Sequence, residues 1–292
     1  MKIQAKIILT MSAAFLVGLV LASIGAYFIV NRNAMDDSLQ NARIMMEGAS
    51  AIRTYTSESV SPLLQQQMKV EFLPYAIPSF AAQSNFRLVQ RKLPEYSYRE
   101  PTLNPTNPSD KAVDWEAAII NQFRDYPDKP ELVMTRETPA GSFLTLARPL
   151  KVGSERCLVC HSTAEKAPPT MTALYGTQNG FGWKLGEIVG AQVVSIPLAV
   201  PLGRAYRMFL WFVAALVGTF LVVIVIVYLL LSLIVVRPVR EISDMATEVS
   251  LGRLSTPEIV TRSRDEIGSL ATAFNRMRRS LKESLKMLEM QG

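Results

Sequence analysis

Residues 208–236 read MFLWFVAALVGTFLVVIVIVYLLLSLIVV, without a single charged side chain. Residues 7–31, IILTMSAAFLVGLVLASIGAYFIVN, repeat that property near the other end of the chain. A helix needs about 20 apolar residues, each rising about 1.5 Å, to cross a bilayer, so both stretches are long enough to span one. Lys2 and Lys6 give the first stretch the basic flank of a signal peptide. Its apolar run exceeds the ~7–15 residues of such a segment and no Ala-x-Ala site follows, so it reads as an uncleaved anchor.

Basic residues beside the spans set the orientation. Lys2 and Lys6 precede the first, and Arg237 and Arg240 follow the second, which places both ends in the cytoplasm. Arg32, Arg204 and Arg207 dilute the contrast without reversing it. The expected order is therefore a cytoplasmic start at 1–6, spans at 7–31 and 208–236, an external domain at 32–207, and a cytoplasmic segment at 237–292. In a bacterium this is a two-pass protein of the inner membrane, with its central domain in the periplasm and lipid as its surroundings.

Composition agrees. The 292 residues are 49% hydrophobic and 19% charged, enough for one or two modest domains beside the spans. A net charge of +6 arises from 31 basic and 25 acidic residues with no block of like charges, so nucleic acid is not an expected partner. The two Cys and the single His all fall within residues 157–161, which excludes a disulfide framework.

Those residues are Cys157-Leu158-Val159-Cys160-His161. Two thiols at this spacing can add across the two vinyl groups of haem, and the adjacent His161 can bind its iron. A structural zinc site needs about four N/S ligands, and no other Cys or His exists to supply them. Dithiol exchange is the rival, because Cys-x-x-Cys also suits redox chemistry. No Pro lies between the two Cys and no βαβ pattern precedes them, so covalent haem c is the expectation, with Cys157 and Cys160 attaching it and His161 ligating the metal. The topology, read without reference to the cysteines, puts them on the outer side, where such haem is attached.

Around the motif, residues 33–70 read as a long helix leaving the membrane, and 72–108 as loop and short helix rich in Pro, Ser, Asn and aromatics. Residues 114–126 form a short amphipathic helix ended by Pro127 and Pro130. Residues 131–137 and 142–150 alternate around Thr138-Pro139-Ala140-Gly141 as an antiparallel hairpin, and 187–197 add another strand. The fold class expected of 32–207 is α+β, of PAS-like type.

Beyond the second span, Ile242, Met245 and Val249 follow Pro238 at helical spacing. Ile267, Leu270, Phe274, Met277, Leu281, Leu285 and Leu288 then fall at intervals of 3, 4, 3, 4, 4 and 3, an a/d-like seam over roughly three heptads. With Gly252-Arg253-Leu254 between the helices and Asp265-Glu266-Ile267-Gly268 opening the second, residues 237 to about 289 resemble a HAMP signal-relay domain. The resemblance implies a parallel four-helix coiled coil in a homodimer.

A second resemblance covers residues from about 34 to 200. Ile77-Pro78-Ser79-Phe80-Ala81-Ala82, Tyr98-Arg99-Glu100, Asn104-Pro105 with Asn107-Pro108, the Cys157–His161 run, and Tyr175-Gly176 with Gly180-Phe181-Gly182-Trp183 are similar to the c-type haem, PAS-like sensor domain long catalogued as a domain of unknown function. The resemblance implies redox or gas sensing. Some relatives hold the iron from the second side with a Cys in an Ala-Ile-x-x-Cys stretch; here Ala51-Ile52-Arg53-Thr54-Tyr55 stands there without one. The sixth position is then open, water-bound, or held by Tyr55, Met45, Met46 or Met68. Arg53, Arg99 and Arg148 are candidate propionate partners as well as ordinary surface residues.

The expected function is a transmembrane sensor, not an enzyme, relaying a haem state through the HAMP helices. No output module follows them before Gly292, so the reading calls for a separate cytoplasmic kinase, cyclase or chemotaxis partner. A membrane-anchored monohaem electron carrier is the alternative. A haem peroxidase lacks a distal His.

Overall fold

The computed structural model describes residues 3–253, 257–260 and 265–289. Two compact units emerge, Tyr27–Met208 and a second made of Met1–Ala26 with Phe209–Gly292. Each is taken by itself.

The first unit is a mixed α/β domain. Helix α1 (Ile3–Tyr55) enters it, passes through a wider π-type turn at Thr56–Val60, and continues as α2 (Ser61–Met68). The long helix expected over 33–70 is therefore present with one interruption. Helix α3 (Pro78–Gln90) starts at Pro78, whose missing N–H is no loss in a first turn. Strand β1 (Ser97–Arg99), helix α4 (Asp114–Asp125), the hairpin strands β2 (Leu132–Thr138) and β3 (Gly141–Lys151), helices α5 (Glu155–His161) and α6 (Pro169–Tyr175), and strand β4 (Ile188–Pro197) follow. The expected hairpin, short helix and last strand are all found within a residue or two.

The sheet is antiparallel in the order β1-β4-β3-β2. Strand β4 is buried along its whole length, because helices cover both sheet faces and its side chains alternate between them. On one face Ala42, Met46 and Ala49 of α1, spaced 4 and 3 apart, bring a flat stripe against Leu144, Leu146, Val194 and Ile196. On the other, Ile119, Ile120 and Phe123 of α4 cover Ala147, Ala191 and Val193. Strand β1 was not expected: three residues have no period of their own, and Ser97–Arg99 are extended only because they pair with Val193–Ser195.

In the second unit, the start of α1 and helix α7 (Ala199–Leu230) are long and apolar enough to cross a membrane. Their side chains face outward, Leu21 at 66% and Trp211 at 76% exposure, which suits lipid and not water. Phe15 and Phe220 stack at 3.6 Å between the two helices. A second π-type turn at Leu231–Val236 leads into α8 (Arg237–Ser250), and α9 (Glu266–Glu289) ends the described chain.

Ile242 and Val249 of α8 pack with Ala271 and Phe274 of α9, joined by Met245 and Ile267. Helix α8 stops at Gly252, whose φ of +83° is the left-handed conformation of a helix C-terminal cap. Asp265 caps α9 by accepting from the Ile267 and Gly268 N–H groups at 3.0 Å each. Asn275 clamps the connector, receiving the Ile259 N–H and donating to its carbonyl. Leu254, and the side chains of Leu285 and Leu288, lie outside the described residues.

Candidate functional site

Cys157, Cys160 and His161 are brought together on α5, a helix of two turns. The Ser154 hydroxyl caps it by accepting from the Arg156 N–H at 3.2 Å. Residues three apart share a helix face, so the two half-buried, free thiols lie on one side. Burial, and after it the nearby Cys157, pushes the Cys160 thiol up.

His161 closes the helix, and its ring is fixed from two directions. Nδ1 lies 2.7 Å from the Gly180 carbonyl oxygen, which can only accept. Nδ1 therefore carries the proton, and Nε2 keeps its lone pair. Thr106 Oγ1, 3.4 Å from the same nitrogen, is a longer second acceptor. Trp183 stacks on the imidazole at 3.9 Å and 12°. Burial lowers the His161 pKa, with the Gly180 bond opposing it, so the ring is held neutral.

The Gly180–Trp183 loop is bound to the end of α5 by the Gly182 N–H on the Ser162 carbonyl (2.9 Å) and the Trp183 N–H on the His161 carbonyl (3.1 Å). Gly180 has φ +84°, and a Cβ there would stand 2.0 Å from Thr106 Oγ1. Only glycine lets the loop approach Thr106 and aim its carbonyl at His161. Asn107 ties down the next turn by accepting from the Ser109 N–H at 3.1 Å. Thr106 is the contact that sequence reading missed: it sits between the Asn-Pro pairs, and nothing in a lone Thr marks it.

The other candidates are dispersed. Met46 is fully buried in the sheet core and Met45 packs beside it. Tyr55, at the end of α1, is 65% exposed. Met68 Sδ accepts from the Leu73 N–H at 3.1 Å, and its carbonyl accepts from Thr170 on α6 at 2.9 Å. Phe72 meets Tyr175 edge-on at 5.7 Å in the same region. Met68 thus belongs to the neighbourhood of the segment that follows the motif.

All three arginines already have carboxylate partners. Arg53 binds Glu100, Arg99 binds Glu116 at 2.9 Å, and Arg148 binds Glu47 at 2.7 Å and Glu131 at 3.5 Å. Glu100 is the centre of a buried polar network. It also accepts from the Tyr98 hydroxyl (2.7 Å), which receives Gln192 (2.8 Å), and its N–H donates to Gln83, which in turn donates to Asp110. Burial and the Glu100 carboxylate raise the Tyr98 pKa, so the hydroxyl stays protonated and remains a donor.

The site thus offers one imidazole lone pair of fixed direction and two thiols beside it. Among the described residues, no group of three or more His, Cys, Asp or Glu is placed to hold a bare metal ion.

A mixed α/β domain between two helices able to cross a membrane, followed by a helix–connector–helix module, has the layout of a signalling membrane protein. Residues 31–197 match the Tll0287-like family, more than half of the chain, and the protein belongs to that family. Residues 230–283 match the HAMP domain. The crystal structure of the cyanobacterial haem-protein Tll0287 is similar at 16% sequence identity, over 55% of this chain and 95% of that one, with a TM-score of 0.44. No curated protein matches the chain.

Proposed function

We propose that the protein is a two-pass haem sensor of the bacterial inner membrane, with thioether bonds to a c-type haem at Cys157 and Cys160 and His161 Nε2 on the iron. The observation that carries the reading is the Nδ1–H···O=C bond to Gly180. A metal-bound histidine usually donates its other N–H to a carbonyl or carboxylate, which fixes the tautomer, aims the ring and raises its basicity. Trp183 restricts rotation of the same ring. Membership of a family named for a haem protein points the same way. When bound, the group would supply a one-electron couple, and iron that can also take a small ligand where no side chain of this protein occupies it.

The antiparallel sheet between α1, α3 and α4 supports a PAS-like description of the domain. The basic flanks of the spans support a periplasmic location for it. Leu270, Met277 and Leu281 of α9, at 47%, 56% and 41% exposure, support a homodimer in which a second copy buries them. The HAMP match favours relay to an output module over an electron carrier. Two chains of contact can carry a change at the site outward. One runs from His161 through Thr106 and the 107–110 turn to Gln83, Glu100 and Arg53 on α1; the other is β4, which leads into α7. Both are candidate routes in which coupling must be demonstrated.

Absorption spectra of the purified full-length protein, oxidised and reduced, with and without carbon monoxide, test the cofactor and the state of the sixth iron position together. Haem that stays with the denatured chain in the wild type and is lost in the Cys157→Ala/Cys160→Ala variant is the expected result. Covalent haem retained in that variant overturns the attachment.

A further inference from the structure

A cavity of ≈ 220 Å³ opens on the α4 side of the sheet, at the end where β2 turns into β3. It is separate from the Cys157–His161 site: Phe143 lines the cavity, whereas α5 follows the far end of β3, eight residues on, or about 26 Å of strand. The volume is below the ~300–1,000 Å³ of sites for drug-sized molecules, so the occupant is small.

Its charge is uneven. Arg99 and Glu116 line one wall and neutralise each other at 2.9 Å, and the second Glu116 oxygen accepts from the Val113 N–H at 3.0 Å. Both carboxylate oxygens of Glu116 are thus engaged. Arg136 lines the other wall, and no carboxylate among the described residues pairs with it. Its guanidinium lies over the Trp115 ring, 3.6 Å from the centroid, and its Nε is withdrawn from water without an acceptor. With its face against the ring and its Nε closed off from water, the guanidinium keeps its two Nη groups to meet an anion that enters the cavity. Phe143 and the buried Val193 supply an apolar floor.

We infer that this cavity binds a small organic monocarboxylate, its oxygens meeting the two Nη groups of Arg136 end-on and its hydrocarbon part lying on Phe143 and Val193. Arginine offers the planar fork that a carboxylate matches, and stacking on Trp115 orients that fork before the ligand arrives. One unpaired positive charge suits one negative charge. A phosphate dianion would bring a second charge into a cavity that also contains the Glu116 carboxylate. Ser195, on the cavity wall, lies two residues before the end of β4, and α7 begins at Ala199. The cavity wall thus includes the strand that runs on into α7.

Calorimetric titration of the full-length protein in detergent with sodium propionate, sodium benzoate and sodium phosphate tests this. Saturable one-to-one binding is expected for at least one of the two carboxylates. Arg136→Lys should weaken it about tenfold or more, because the fork is lost while the charge stays. Arg136→Gln should abolish it, and Arg91→Gln, an equal charge change on the exposed surface, should leave it unchanged. Ala140→Trp, which fills the mouth from an exposed turn position, should block binding with Arg136 intact, and so keeps the test alive if an Arg136 variant fails to fold. No saturation by either carboxylate overturns the inference. So does phosphate binding as tightly as they do, or full affinity in Ala140→Trp.

Discussion

At the scale of single residues, the orientation of His161 depends on a glycine nineteen positions away. Gly180→Ala would place a methyl group 2.0 Å from Thr106 Oγ1 at a φ that side chains avoid, so the loop must move and take its carbonyl with it. A loss of about 1–3 kcal/mol in denaturant unfolding is expected, together with an altered absorption spectrum if His161 ligates iron. An unchanged spectrum and midpoint would remove Gly180 from the account. Asp110 gives a prediction in pH. Burial raises its carboxyl pKa, opposed first by the hydrogen bond from Gln83. A raised carboxyl holds its proton more tightly folded than unfolded, so this group costs the wild type stability as pH climbs from about 4, and the cost vanishes on acidification. Relative to wild type, Asp110→Asn should therefore gain stability between acid and neutral pH and then level off. Midpoints that differ equally at every pH would show that ionisation plays no part.

At the scale of elements, α1 is fastened to the sheet by aliphatic packing and by one buried ion pair. The Glu100 side chain is fully buried, and Arg53, Tyr98 and its own backbone N–H toward Gln83 organise around it. Glu100→Ala leaves Arg53 without a partner at the sheet, and breaking a buried pair from one side costs about 3–5 kcal/mol. Unfolding free energies measured on that variant should fall by this order; a change below about 1 kcal/mol would mean that solvent already screens the pair. Helix α9 depends on its cap instead. Asp265→Ala should cost about 1 kcal/mol, read as a lower melting temperature of the α8–α9 module, because two N–H groups lose their acceptor.

At the scale of the whole molecule, the exposed apolar side of α9 decides whether the chain works alone. Met277→Cys should crosslink efficiently to its copy in native membranes, and Lys282→Cys, off that face, should not. Equal crosslinking at both positions would point to random collision. Much of this organisation is set by local sequence. Uncharged runs long enough to span a bilayer, a hairpin with alternating strands around a Pro-Ala-Gly turn, and Cys-x-x-Cys-His are each specified within a few consecutive residues, so the sequence alone determined the two helices able to cross a membrane, three of the four strands and the three candidate site residues. Contacts between distant segments have no such signature. Strand β1 exists only through its pairing with β4, Thr106 and Gly180 meet His161 across 55 and 19 positions, and Arg136 finds Trp115 but, among the described residues, no carboxylate. The tertiary structure alone decided these, because hydrogen bonds, ring stacking and burial depend on distance in space, and chain separation does not encode it.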